Sequence, residues 1–434
     1  MFLQILAVYC LLGQVAPFNS IFHRTGNFHG SHFSRFITQI PATSAPASIL
    51  TTTSTSWNDF DYKSYIWKHD YKISYVTFGD ETKPPLLLLP GFGVGAFHYE
   101  RNIPELAKDY HVFSLDLLGQ GSSWPSKRPT QEQQLSYSID TWLEQIVYFV
   151  ENVVKKPVHV AGNSLGGYLA VCLAATCSMK VKSLILINAT PFWSFQPSKD
   201  SASSNSFLTS LLSYIWDGTL PAPAPLLNFG SFYYNNLRKP ETVKSMLNMV
   251  YQNPEASDDF LVNNIIKSAS NELGQEAFTS ILFSPKFKLE FLDMIRNIDV
   301  PICLLYGKED PWIVPHWAQQ IKNTKPSVDY YELSPSGHCP HHETPTAINA
   351  MIKKWIDRME KSNNNNNDNN NNKSDDEDVG DRDRDLNVSN SGDDDGDVFC
   401  FNGEEGEVSV TKMSGRPTNA MESIIVSMTS GIKV

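Results

Sequence analysis

Five stretches of the chain are almost wholly apolar over four or five residues: Leu86–Leu89, Val112–Leu115, Val158–Ala161, Leu184–Ile187 and Ile302–Tyr306. Runs of that length and density suit strands buried on both faces of a sheet. Longer stretches with helical periodicity lie between them, at Ser136–Val154, after Gly166, at Pro315–Lys322 and at Thr344–Met359. Tyr65–Lys68 and Lys72–Phe78 read as an opening hairpin, and Val328–Leu333 as a last strand. Strand alternating with helix predicts an α/β fold around a mostly parallel sheet.

The alternation breaks at residues 191–297. That segment is rich in proline and aromatics, with helix-like stretches at Val243–Val250 and Phe260–Ser270. It is too long to be a structureless loop in a compact domain. It is expected to form an inserted helical cap over the C-terminal edge of the sheet, where open α/β folds place their sites. The core is then expected in two parts, 58–190 and 298–361.

Both ends depart from this pattern. Residues 1–12 are almost wholly apolar and carry no charged side chain, and no Asp or Glu occurs between Gly13 and Asn58, where Ser and Thr are frequent. Residues 1–57 therefore read as a signal segment followed by a transit-type leader, an address used by plastids bounded by extra membranes; secretion is the alternative. Residues 362–434 begin with an asparagine tract and an acidic run, and are expected to be disordered. The tail also distorts the charge balance. Of 47 acidic and 35 basic side chains, 16 and 6 lie from Ser362 onward, leaving 31 against 29 before it. The folded part is nearly neutral and offers no basic stripe for nucleic acid. The six cysteines form no C-x-x-C pair, which argues against a disulfide framework or a thiolate metal site.

The candidate chemistry begins at Gly162-Asn163-Ser164-Leu165-Gly166, a G-x-S-x-G segment between a predicted strand and a predicted helix. In that context it is a nucleophile elbow, a sharp turn that lifts a serine hydroxyl clear of the sheet. A serine needs a base held by a third group, in the chain order Ser, acid, His. His338 follows the last strand and is the expected base. Asn188 cannot carry charge, so the acid is expected after the next strand, at Asp310, with Glu309 as the neighbouring alternative. Backbone N–H groups of Leu165 and Phe92 are the expected oxyanion donors, Phe92 lying in the glycine-rich Pro90–Gly95 loop. That loop lacks dinucleotide-fingerprint spacing, and the His338, His341, His342 grouping has no accompanying carboxylate or cysteine pattern; neither a cofactor nor a metal is expected. Asp116 reads as part of a structural turn near the rim.

Several longer segments carry a more specific resemblance. They are Leu89–Glu100, Asp116–Gly121, Ala161–Tyr168, Asn188-Ala189-Thr190-Pro191-Phe192-Trp193, Tyr306–Trp312 and Gly337-His338-Cys339-Pro340-His341. Together they resemble the pheophytinase family, plastid enzymes of α/β-hydrolase fold that cleave the phytyl ester of pheophytin. The resemblance spans about Tyr65 to Met359. It implies Ser164, Asp310 and His338 as triad, and substrate contacts from His98, Phe192, Trp193 and Trp312. It also implies a phytylated tetrapyrrole as substrate, no cofactor, and peripheral association with thylakoid membrane. Chlorophyll dephytylation, general lipid ester hydrolysis and a hydrolase-fold ligand receptor remain the competing readings.

Overall fold

The computed structural model describes residues 62–189, 216–284, 287–368, 389–390 and 398–414. The leader, Phe192, Trp193 and much of the tail lie outside the described residues. The sheet opens with β1 (Tyr62–Trp67) and β2 (Tyr71–Phe78), an antiparallel hairpin. It continues with β3 (Pro85–Leu89), β4 (His111–Leu115), the two-residue β5 (Trp124–Pro125), β6 (Val158–Asn163), β7 (Val181–Ile187), β8 (Ile302–Gly307) and β9 (Asp329–Ser334). Strands β4, β3, β6, β7, β8 and β9 lie side by side in that order, all parallel.

The apolar runs become central strands because both of their faces are covered. Leu87, Leu89, Val160, Leu184, Leu186, Ile302 and Leu304 enter one core. Their alternates Leu86, Leu88, Ala161, Ile185, Ile187, Cys303 and Leu305 enter the other. This is the period-two pattern of a pleated sheet with both sides buried. The first core also holds the helices Ile139–Phe149 and Leu165–Thr176; the second holds Ile348, Met351, Ile352, Trp355 and Ile356 of the helix Pro345–Asp368. That last helix runs past the expected end at Met359 into the asparagine tract, since extending a formed helix costs far less than nucleating one.

The tail expectation needs correction. β11 (Val398–Gly403) and β12 (Gly406–Lys412) form a hairpin inside the region read as disordered, with β10 (Ser389–Asn390) beside β11. Strand β12 pairs antiparallel with β9, Val410 facing Leu333 in register. Phe401, Val408 and Val410 are buried in the second core, and the Glu405 carboxylate accepts the Thr346 N–H at 2.8 Å. The acidic neighbourhood masks a short alternating apolar pattern with a glycine turn, which is enough to cover the edge of β9.

The cap is helical, as the interrupted pattern predicts. Ala224–Leu237, Pro240–Asn248, Asp259–Ala269 and Gly274–Phe283 form its described part. Phe291–Asn297, placed by sequence within the cap range, belongs to the core layer instead. Its Phe291 ring lies 5.7 Å from that of Tyr168, and Met294 and Ile295 join the first core. The cap reaches the loops that follow β3 and β9: the Phe278 and Phe92 rings are 6.5 Å apart, and Val250 O accepts the His338 N–H at 2.9 Å.

Candidate active site

Ser164 stands between β6 and the helix Leu165–Thr176 with φ 53° and ψ −117°, a strained conformation for a residue with a side chain. Its N–H donates to Ile187 O at 3.0 Å and its carbonyl accepts from Tyr168 N at 3.0 Å, so strand and helix both fix the turn. The glycines serve close approach. A Cβ on Gly162 would run into the Gly166 backbone, and one on Gly166 into the carbonyl groups of Leu89 and Pro90. Gly166→Ala is therefore expected to cost about 1–3 kcal/mol by overpacking. The shifted elbow is expected to lower kcat about 100-fold. Thermal unfolding and ester turnover measured on one preparation check both; unchanged kcat would remove the close-approach argument.

His338 lies in the loop after β9. Its Nδ1 meets Asp310 Oδ2 at 2.7 Å, and Asp310, after β8, is 2% exposed. The same Oδ2 accepts Asn188 Nδ2 at 2.7 Å, while Oδ1 accepts the N–H groups of Trp312 and Ile313 at 2.7 and 3.0 Å. Burial works against charge on this carboxyl, but the His338 imidazole and the Ile313 and Trp312 N–H groups outweigh it and hold it below the ordinary carboxylate range. Glu309 points elsewhere. Its carboxylate accepts the Ser334 hydroxyl at 2.7 Å and the Ser336 N–H at 2.8 Å, bracing the loop before His338.

Two amides that sequence reasoning passed over join these parts. Asn163, beside Ser164, donates through Nδ2 to His338 O at 2.9 Å and to Ile187 O at 3.2 Å. Asn188, at φ 44°, donates to Asp310 and accepts the Gly307 N–H at 3.0 Å. Each ties the end of one parallel strand to the loop of another. The signal was present in the sequence as an asparagine directly after an apolar strand, a position that places an amide at the sheet edge.

Leu165 opens its helix, so its N–H is one of the four that an α-helix leaves without an intrahelical acceptor. The Phe92 loop lies against the elbow: a Cβ on Gly91 would touch Asn163 Oδ1 and Ser164 Cβ. Gln120 holds this loop by accepting the Gly93 N–H. Asp116 holds it too, accepting Ala96 N at 2.6 Å and Ser122 N at 2.7 Å. Burial pushes the Asp116 carboxyl up to about 6 against those two bonds. Its role is to shape the turn.

Of the expected substrate contacts, Trp312 flanks His338, the two ring centroids 5.4 Å apart. His98 requires correction. It is 3% exposed, with Nε2 bonded to the Tyr251 hydroxyl at 2.8 Å and Nδ1 facing His341 Nε2 at 3.2 Å. With both ring nitrogens engaged inside the protein, it has none left for a substrate; the sequence placed it near the glycine loop but could not show which way it turned. Among the described residues no group of His, Cys, Asp or Glu has metal-holding geometry.

Residues 84–345 match the family described as alpha/beta hydrolase fold, and the chain belongs to that family. Pheophytinase, chloroplastic, of Arabidopsis thaliana is 36% identical over 323 residues, which cover 68% of this chain and 66% of that protein, just under two thirds. Lipase 3 of Moraxella sp. (strain TA144) is 24% identical over 338 residues, 75% of this chain and 96% of the lipase. Among solved structures, the epoxide hydrolase CorEH shares the fold at a TM-score of 0.53 and 18% identity, over 69% of this chain and 99% of its own. Family and relatives define the class, a carboxylic ester hydrolase. Within that class the chain is pheophytinase-like.

Proposed function

We propose that this chain hydrolyses the phytyl ester of pheophytin, with Ser164 as nucleophile, His338 as base and Asp310 as the group that orients it. The observation that carries the mechanism is the His338–Asp310 hydrogen bond of 2.7 Å, with the His338 carbonyl held by Asn163, the residue beside the serine. Ser164 Oγ attacks the propionate carbonyl while His338 takes its proton. The oxyanion is met by the N–H groups of Phe92 and Leu165. The C–O bond to phytol then breaks, and the His338 proton leaves on the phytol oxygen. Water, deprotonated by His338, attacks the acyl-enzyme, which releases the tetrapyrrole acid and restores Ser164. No cofactor enters these steps.

The substrate assignment rests on the likeness to pheophytinase and on the aromatic surround. Phe278 of the cap stands opposite Phe92, and Trp312 lies beside His338, so the walls suit an apolar alcohol and a flat macrocycle. The relative's chloroplast address and the acid-poor leader support action in a plastid, with the enzyme meeting its lipid-soluble substrate at the thylakoid surface. The lipase relative favours one second reading, a general lipid esterase. The test is to incubate the chain from Trp57 to Val434 with pheophytin a, chlorophyll a and a short nitrophenyl ester. Pheophorbide release from pheophytin, faster than chlorophyllide release from chlorophyll, is the expected result. Turnover of the short ester alone supports the lipid esterase, and tight pigment binding without turnover of any ester supports a receptor.

A further inference from the structure

Glu343 follows His338 by five residues and closes the one-turn helix Pro340–Glu343; it is 1% exposed. Its carboxylate accepts four backbone N–H groups from two separate parts of the molecule. Oε1 takes Gly337 and Cys339, both at 3.1 Å, the two residues flanking His338. Oε2 takes Gln252 at 2.7 Å and Asn253 at 3.2 Å, both in the cap. The N–H between those two, that of His338, donates to Val250 O of the same cap segment at 2.9 Å. Three successive N–H groups are thus committed, two to Glu343 and one to the cap. Gly337 makes the contact sterically possible, since a Cβ there would run into Val250 O, Gln252 N and Glu343 Oε1.

A carboxylate is the fitting acceptor for this place. It offers about four lone-pair sites and full negative charge to four donors, where a neutral amide offers one oxygen. Burial pushes the Glu343 carboxyl up, and the four N–H bonds work against that rise. The backbone it fixes sets where the His338 ring stands, and that ring must hold a 2.7 Å bond to Asp310. Around it Arg101 adds a second tie, donating to His342 O at 3.0 Å and to Asp258 Oδ2 of the cap at 2.7 Å.

We propose that Glu343 is a positioning residue for His338, and that through it the cap segment Val250–Asn253 is part of the scaffold of the base as well as of the cover over the site. The proposal rests on His338 acting as base. It separates this segment from the parts of the cap that meet substrate: its effect reaches every ester, whatever the alcohol.

The test compares the full chain with Glu343→Gln on a short nitrophenyl ester and on pheophytin a, with functional sites counted by titration with a fluorophosphonate. The amide keeps one acceptor oxygen and brings a donor face against N–H groups. The expected result is a fall in kcat per titrated site of about 10- to 100-fold, equal for both esters, with KM within about three-fold. Wild-type kcat per site, with only the number of titratable sites reduced, would mean a purely structural role and overturn the proposal. A loss confined to pheophytin would assign Glu343 to substrate binding and overturn it equally. Should Glu343→Gln not fold, Glu343→Asp keeps the charge on a stem one methylene shorter and is read the same way: lowered kcat per site supports the proposal, wild-type kcat per site overturns it. Short-ester turnover that survived in Ser164→Ala would instead overturn the reading of the site, and this proposal with it.

Discussion

Ser164→Ala is expected to lower kcat toward a short ester about a million-fold, the loss that follows removal of the nucleophile from an otherwise intact triad. The change deletes one oxygen at a half-buried position and leaves the turn's backbone bonds to Ile187 and Tyr168 in place. Alanine meets the same strain as serine at φ 53°, so thermal stability is expected to stay within a few degrees. What survives is binding. The cap aromatics and the oxyanion donors are untouched, so the variant is expected to bind pheophytin as tightly as the wild type while losing all labelling by fluorophosphonate. Pigment fluorescence quenching measures the first and intact mass the second. Residual turnover above about one part in a thousand of wild type would point to a nucleophile other than Ser164, because positioning and oxyanion donors alone supply only a small share of the rate.

How much of this was legible in the sequence differs by physical cause. The central strands were, because a strand covered on both faces is apolar at nearly every position, and Leu86–Leu89 is buried at each of its four. Ser164 was, because the turn that exposes it demands small residues at Gly162 and Gly166. Chain order pointed to His338 and to an acid at Asp310 or its neighbour Glu309; the structure puts Asp310 against His338. Residues that act through backbone bonds were at best half legible: an asparagine at the end of an apolar strand marks a place at the sheet edge but not its partner. Asn163, Asn188, Gln120 and Glu343 bond to main-chain groups, some of them far away in sequence, and such bonds leave no periodic trace. The hairpin Val398–Lys412 was hidden for another reason. Its burial depends on an open edge at β9, which composition alone cannot reveal, and the surrounding acidic residues outweighed its few apolar positions. His98 shows the converse limit: a polar residue beside a site loop can be turned into the core, here by Tyr251 and His341.

Asp310→Asn is expected to lower kcat about ten-thousand-fold with little change in KM. The reason lies in the donor count around the carboxylate. Oδ1 is held by the N–H groups of Trp312 and Ile313, and an asparagine there would keep its oxygen on that side. Its NH2 would then face His338 Nδ1 and Asn188 Nδ2, both of which donate to Oδ2 in the wild type. Asn188 cannot turn its amide over without giving up the Gly307 N–H. His338 must then leave Nδ1 bare and carry its proton on Nε2, the tautomer that cannot accept a proton from serine. Glu309 offers no substitute, since its carboxylate is spent on Ser334 and Ser336. The variant also changes the acid limb of stability. A carboxyl held below its ordinary value in the folded protein contributes stability that is complete above the unfolded value, about 4, and is lost as pH falls through the folded value. Removing the titrating group removes that term, so the Asp310→Asn variant is expected to lose stability less steeply than wild type below about pH 4. Urea unfolding at a series of pH values, beside kcat at neutral pH, checks both halves. A drop in kcat of less than about 100-fold would mean that another group orients His338, and parallel acid limbs would mean that Asp310 is not held charged by its neighbours.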